Sequence, residues 1–235
     1  MPRPLVDLLW RAADGAPTTG RRGPKAKHST DEVVAAATCL ADTDGLGAVT
    51  VRALAQALGM TAMSVYTHVN SRDDLLVLMV DDAHAQMVRT PFGRSRIRTR
   101  LRRVGEDNLM LYRTHPWLLD VDDQRTALGP GTIAKYDHEL RAFDGAAFDD
   151  VARDAALTFF LDFVRASAAR MVRPAADFTQ TWQESAGPLA TYIGDDFPLA
   201  QRVGRAAGEA MGGPYDARSA WEFGLTRVIS ALVDD

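Results

Sequence analysis

Cysteine is nearly absent: Cys39 stands alone among 235 residues. An intrachain disulfide is excluded, and a cysteine-based zinc site has too few ligands; a reducing, cytoplasmic compartment fits. Long apolar runs are missing as well. The longest unbroken one, Leu75 to Val80, is too short to cross a membrane as a helix. The opening residues, Met1 to Trp10, hold Arg3 and Asp7 and no extended apolar stretch, so no secretory leader is expected. There is no strand-like alternation, no repeat and no low-complexity tract. Positive charge is not in excess: 27 Lys and Arg stand against 31 Asp and Glu, a net of −4. That argues against a histone-like coat of charge. It does not exclude DNA binding, which depends on where the positive charge sits. A Ser-His-Asp elbow, a His-Glu-x-x-His pair and a phosphate loop are all lacking. No metal and no cofactor is expected.

What the chain does have is helical periodicity. A composition of 46% hydrophobic and 25% charged residues is that of an ordinary globular protein, and the length allows one or two domains. Residues 14–30 hold Gly15, Pro17, Gly20, Gly23 and Pro24, with Arg21, Arg22, Lys25 and Lys27 in the second half. This composition cannot bury apolar area, and residues 1–26 are expected to be a flexible basic extension. From Thr30 onward apolar residues recur three and four apart. Val33, Val34, Ala37, Leu40 and Ala41 stripe a first helix, capped by Ser29 or Thr30 and stopped by Gly45. Thr50 caps a short helix carrying Val51, Leu54, Ala55 and Leu58, and Gly59 ends it. Thr61 caps a third, with Val65 and Val69 on one face. Ser71 opens a longer one.

Beyond Pro91 helices are expected over about 95–114, 130–143 (after the Gly129-Pro130-Gly131 breaker), 149–172 and 217–233, with a short turn at Trp117 to Asp120. Residues 174–216 are mixed, with Gly and Pro throughout. The class is all-α: a three-helix helix-turn-helix domain over 27–75 and a larger helical bundle over 76–235.

Residues 45–76 read GLGAVTVRALAQALGMTAMSVYTHVNSRDDLL. Two short helices meet at Leu58-Gly59-Met60, where glycine supplies a left-handed turn and the helices can cross steeply. Thr61, Ala62, Met63 and Ser64 then stand at the start of the second helix. They are small enough for the backbone to approach base edges in a major groove. Thr50, Arg52, Leu54-Ala55, Leu58-Gly59, Ser64 to Val69, and Ser71-Arg72 before Leu75-Leu76 make the segment resemble the tetracycline-repressor (TetR) family. The resemblance is strong over about residues 27–80.

It implies a homodimeric transcription factor, usually a repressor, that binds a palindromic double-stranded DNA operator and is released by a small molecule held in the C-terminal domain. Carried over by position, Arg52 would contact a base or phosphate. Thr61, Ala62, Met63 and Ser64 would face base edges, while Tyr66, Thr67 and His68 would hold phosphates with Thr50 and Arg72. Arg21, Arg22, Lys25 and Lys27 would add affinity or reach the minor groove. One departure stands out: no Arg, Asn, Gln or Lys lies between Thr61 and His68. The strongest bidentate base contacts are missing from the reading helix.

Candidates for the effector site are Tyr112, His115, Trp117, Tyr136, His138, Phe159, Phe163 and Trp182. The metal-chelating histidine pattern of tetracycline binders is not matched, so the effector is unknown and tetracycline is not expected. Surplus apolar faces on 149–172 and on the closing helix fit a four-helix dimer interface. Seven arginines from Arg89 to Arg103 read as a solvated helix face. Two alternatives stay open: a helix-turn-helix factor without small-molecule response, and an all-α enzyme with acidic metal ligands at Asp150 and Asp154. First-turn helix acids explain those aspartates more simply.

Overall fold

The structure is a computed structural model and describes residues 3–13, 28–172, 178–194, 196–212 and 216–233. All regular structure among them is helical. Eleven α-helices run in order among these residues: α1 Leu5–Leu9, α2 Thr30–Asp44, α3 Val51–Leu58, α4 Ala62–Val65, α5 Arg72–Gln86, α6 Ile97–Thr114, α7 Pro130–Leu140, α8 Asp150–Val172, α9 Phe178–Ile193, α10 Pro198–Met211 and α11 Ala217–Val233. Short 3-10 turns at Leu46–Ala48, Pro116–Asp120, Gln124–Leu128 and Arg141–Phe143 join them. No described helix is long and apolar enough to cross a membrane.

Local chemistry sets the helix starts. Ser29 accepts from the Glu32 amide while Glu32 accepts from the Ser29 amide, a reciprocal cap that satisfies two orphan donors. Thr50, Thr61 and Ser71 do the same work for α3, α4 and α5, each accepting from the amide three residues on.

Two cores result. The first packs α1 to α5 around Val33, Ala37, Leu54, Val65 and Leu78, and it takes in Leu111, Trp117 and Leu118 from farther along the chain. The second packs α6, α8 and α11 around Leu101, Phe160, Val164, Trp221 and Leu225. Helix α5 belongs to the first core through Val77, Leu78 and Met79 and lies along α7. The break expected after residue 75 is therefore not where the packing divides. Helix α5 crosses residue 75 unbroken, and its buried apolar residues Leu75, Val77, Leu78, Met79, Val80 and Ala83 all lie in the first core.

A second expectation also changes. Residues 3–13, read as part of a flexible extension, are docked: Leu8 is 1% and Leu9 3% exposed, both inside the first core. Their apolar spacing outweighs the prolines that precede them. The basic residues Arg21, Arg22, Lys25 and Lys27 lie outside the described residues. The third difference is α9 and α10, regular helices where Gly and Pro suggested irregular chain; Pro188 lies inside α9.

At α5 and α7 the two helices approach very closely. A methyl group built at Gly131 would fall inside the carbonyl oxygen of Asp81 and sit 2.9 Å from the Ala85 Cβ. The Asp81 carboxylate turns into the start of α7 and accepts from the Thr132 amide at 2.9 Å. The Gly129-Pro130-Gly131 breaker is thus a docking surface for α5 as well as a helix start. Three arginines of the Arg89–Arg103 cluster bind neighbouring elements, while Arg94, Arg96 and Arg98 are exposed. Arg100 donates to the Arg141 and Asp144 carbonyls, Arg102 to Glu222 and Thr226, and Arg103 to the Pro91 and Phe92 carbonyls. These arginines staple α6 to its neighbours, where a solvated face was expected.

Candidate nucleic-acid interface

The end of α3 is set by Gly59, whose backbone is left-handed at φ 62°, ψ 38°. The Met60 amide reaches back to the Ala55 carbonyl at 2.9 Å, closing the helix. The chain then turns at once into α4. Buried Leu54, Val65 and Val69 hold the two short helices together from inside. That leaves an outward row. Arg52, Thr61, Ala62, Met63, Tyr66 and Thr67 are exposed, Met63 by 75% and Tyr66 by 49%. Two large side chains are left in water close together on this small helical unit.

Several polar groups of this row are already engaged. Thr61 Oγ1 accepts from the Ser64 amide and lies 2.8 Å from Ser64 Oγ, and the Thr67 hydroxyl donates to the Ser64 carbonyl at 2.7 Å. These bonds shape the turn after Val65, where α4 ends sooner than the residue pattern suggested. His68 is half-buried. Burial and the nearby Arg3 cation lower its pKa, so its imidazole is neutral at pH 7. It can offer a phosphate one N–H but no charge.

Arg72 departs from expectation more clearly. Its Nε donates to the Val49 carbonyl at 3.2 Å and one Nη to the Leu46 carbonyl at 2.9 Å. It brackets the start of α5 against the turn before α3. Asn70 was missed by sequence reasoning. Its amide donates to the Arg3 carbonyl at 2.8 Å and to Asp74 at 2.9 Å, and Asp74 accepts from Arg125 at 2.9 Å. No local pattern signals a contact between positions so far apart in sequence.

The effector candidates are not gathered in one place. His115 and Trp117 both reach Asp42 Oδ1, at 2.8 and 2.7 Å, and so tie the Pro116 turn to α2. Phe163 stacks on Trp221 at 5.7 Å between centroids, and His138 stacks on Phe92 at 4.5 Å. Tyr136 and Phe159 are exposed, and the Tyr136 hydroxyl donates to Asp154 at 2.6 Å. Trp182 is half-buried on α9.

Tyr112 is different: it lies between the two cores, and burial raises its pKa against the pull of Arg165. One turn before it, Asn108 donates to the Glu139 carboxylate at 2.5 Å, and Lys135 donates to the same carboxylate at 2.8 Å. All three are buried, and Asn108 Oδ1 has no hydrogen-bond partner. A buried acceptor without a partner is costly. This polar cluster in the second domain gave no sequence signal, since it joins α6 to α7.

The sequence pattern described as "Bacterial regulatory proteins, tetR family" matches residues 33–79, which hold the whole reading face. That described as "Tetracyclin repressor-like, C-terminal domain" matches residues 92–234, more than half of the chain. The chain belongs to the TetR family. The HTH-type transcriptional repressor DrrR1 of Streptomyces coeruleorubidus is 37% identical over 132 residues, 54% of this chain and 46% of that protein. An HTH-type transcriptional regulator of Saccharopolyspora erythraea is 32% identical over 142 residues, 56% and 57% of the two chains. The matched part spans about half the length of these curated relatives. Apo ActR from Streptomyces coelicolor superposes with a TM-score of 0.73 at 24% identity, over 89% of this chain and 97% of that one. ActR in complex with actinorhodin gives 0.73 at 24% identity, over 88% and 97%. At such identity these structures establish the shared fold.

Proposed function

We propose that this TetR-family chain is a homodimeric, ligand-responsive repressor that binds a palindromic DNA operator and is released by a small molecule. The observation that carries the reading is the exposed row from Arg52 through Met63 and Tyr66, stretched over the buried Leu54, Val65 and Val69. Ala62, Met63 and Ser64 face base edges, and Met63 suits a thymine methyl. Arg52 reads a base, while Tyr66, Thr67, His68 and Thr50 meet phosphates. Arg21, Arg22, Lys25 and Lys27 add counterion-release affinity. With so few strong donors on α4, DNA shape carries part of the specificity.

A second copy is supported by apolar surface left uncovered on α8 and α11, where Val151 and Phe223 are exposed. Response to a small molecule is supported by the unsatisfied Asn108 acceptor beside Tyr112, and by the actinorhodin and (S)-DNPA complexes of ActR. The effector-facing set is therefore Asn108 and Tyr112 first, ahead of Tyr136, Phe159 and Trp182. The protein works in the cytoplasm, with its DNA.

The test is fluorescence anisotropy of the whole protein on duplexes tiled across the DNA upstream of its own gene. It is run at two salt concentrations with scrambled competitor. Binding to one tile that survives competitor supports the reading. Uniform weak binding that collapses with salt overturns it. The acidic-enzyme alternative requires divalent-metal binding that disappears in Asp150→Ala.

A further inference from the structure

The N-terminal segment makes contacts in three directions. The indole N–H of Trp10 donates to the Leu128 carbonyl at 2.9 Å, on the 3-10 turn just before α7. Arg11 pairs with Asp31 at 2.5 Å, at the first turn of α2. Arg3 donates to the His68 carbonyl at 3.4 Å, and its own carbonyl accepts from Asn70. His68 and Asn70 stand at the far end of the reading face. Between these anchors Leu8 and Leu9 are sunk in the first core beside α5. A second line of bonds runs parallel: Asn70 to Asp74, Asp74 to Arg125, Arg125 to Asp123. Both lines begin at residues 68–70 and finish at residues 123–128.

We propose that residues 3–13 are a positioning strap that joins the trailing end of the DNA-reading face to the 123–128 turn of the C-terminal domain. Its positioning residues are Arg3, Trp10, Asn70 and Arg125. The geometry has two consequences. Motion of the 123–128 turn pulls on the reading face from behind, through α1 and the first turn of α5 at Asp74. The angle of the reading face is set by the N-terminus as well as by the helix-turn-helix core. This rests on the DNA-reading role for its effect on operator binding, though not for the mechanical link itself.

The test uses the full-length protein and Trp10→Phe, which keeps an aromatic ring but loses the donor to Leu128 along with part of the indole. Amide hydrogen exchange is followed at residues 66–70 and 124–128. The strap predicts that exchange rises at both ends, by roughly fivefold, the effect of one lost hydrogen bond. Residues 66–70 respond although Trp10 does not touch them. Asn70→Ala gives the reverse: exchange rises at 124–128.

A rise confined to the neighbourhood of each mutated residue overturns the strap. Wild-type melting in Trp10→Phe keeps a folding defect apart from a loss of coupling. Operator anisotropy is read on the same samples. The strap predicts weaker binding in Trp10→Phe on the tile that the wild type binds. If the wild type binds no tile, the DNA reading fails while the exchange result still decides the strap.

Discussion

The two ends of α5 are held in opposite ways. At its start, near Ser71, the neighbouring elements are short, capped by hydroxyls and open to water on one side. At Asp81 and Ala85 the helix is pressed against Gly129 and Gly131 with no room for a methyl group. The first end is held by hydrogen bonds, the Ser71 cap and those of Asn70, Arg72 and Asp74 to distant residues, the second by close packing between helices far apart in sequence. The difference predicts where substitutions damage the fold and where they damage recognition alone.

The sharpest contrast is between two glycines. Gly131→Ala must push against the Asp81 backbone, so it is expected to cost at least ~3 kcal/mol of stability or to prevent folding. Gly47, in the turn before α3, has open space around it, so Gly47→Ala is expected to melt within a degree or two of wild type. Thermal unfolding followed by circular dichroism decides it. Similar losses from both would erase the distinction.

The α5–α7 seam should also respond to acid. His84 lies 2.9 Å from the Thr132 hydroxyl, and burial lowers its pKa from the ordinary 6.5 to about 3. The fold resists protonating it, so stability is full above pH 6.5 and falls as pH drops toward 3. Asp81 acts in the opposite sense. Burial raises its pKa above 3.8, so its ionisation costs stability as pH rises through that region. It offsets part of the loss at the acid end. Urea denaturation of wild type and His84→Gln between pH 4 and 7 is expected to show a shallower slope in the variant.

The reading face should yield smaller effects that leave melting unchanged. Arg52→Ala is expected to cost ~1–3 kcal/mol on the cognate duplex and less on scrambled DNA. Equal losses on both would make Arg52 a phosphate contact. Tyr66→Phe removes one hydroxyl and is expected to cost ~0.5–1.5 kcal/mol, equally on both duplexes. A loss of stability in either variant would move that residue from the DNA surface into the core.

Most of the reading end was legible in the sequence because its determinants are local. Thr50, Thr61 and Ser71 cap the helices they were expected to cap, Ser29 rather than Thr30 caps the first, and Gly45 and Gly59 end theirs. Leu54, Val65 and Val69 are buried as their spacing implied. What escaped depends on distant partners. Arg72 binds carbonyls of residues 46 and 49, His115 and Trp117 bind Asp42, and Asn108 binds Glu139; no window of neighbouring residues contains these pairs. Helix α1 was hidden by its brevity and by the Gly- and Pro-rich stretch that follows it. In α9 and α10, Gly187, Pro188 and Gly204 suggested breaks that the helices absorb. Leu199 and Val203, four apart on α10, are exposed, so that helix covers no core of its own chain.

The central claim is that the row from Arg52 to Tyr66 is the surface that meets DNA, presented as a pair. Hydroxyl-radical footprinting of the full-length protein on its bound duplex tests this most directly. The account predicts two symmetric protected half-sites that disappear together in an Arg52→Ala/Tyr66→Ala double variant with wild-type melting. An unchanged footprint from that double variant would contradict it.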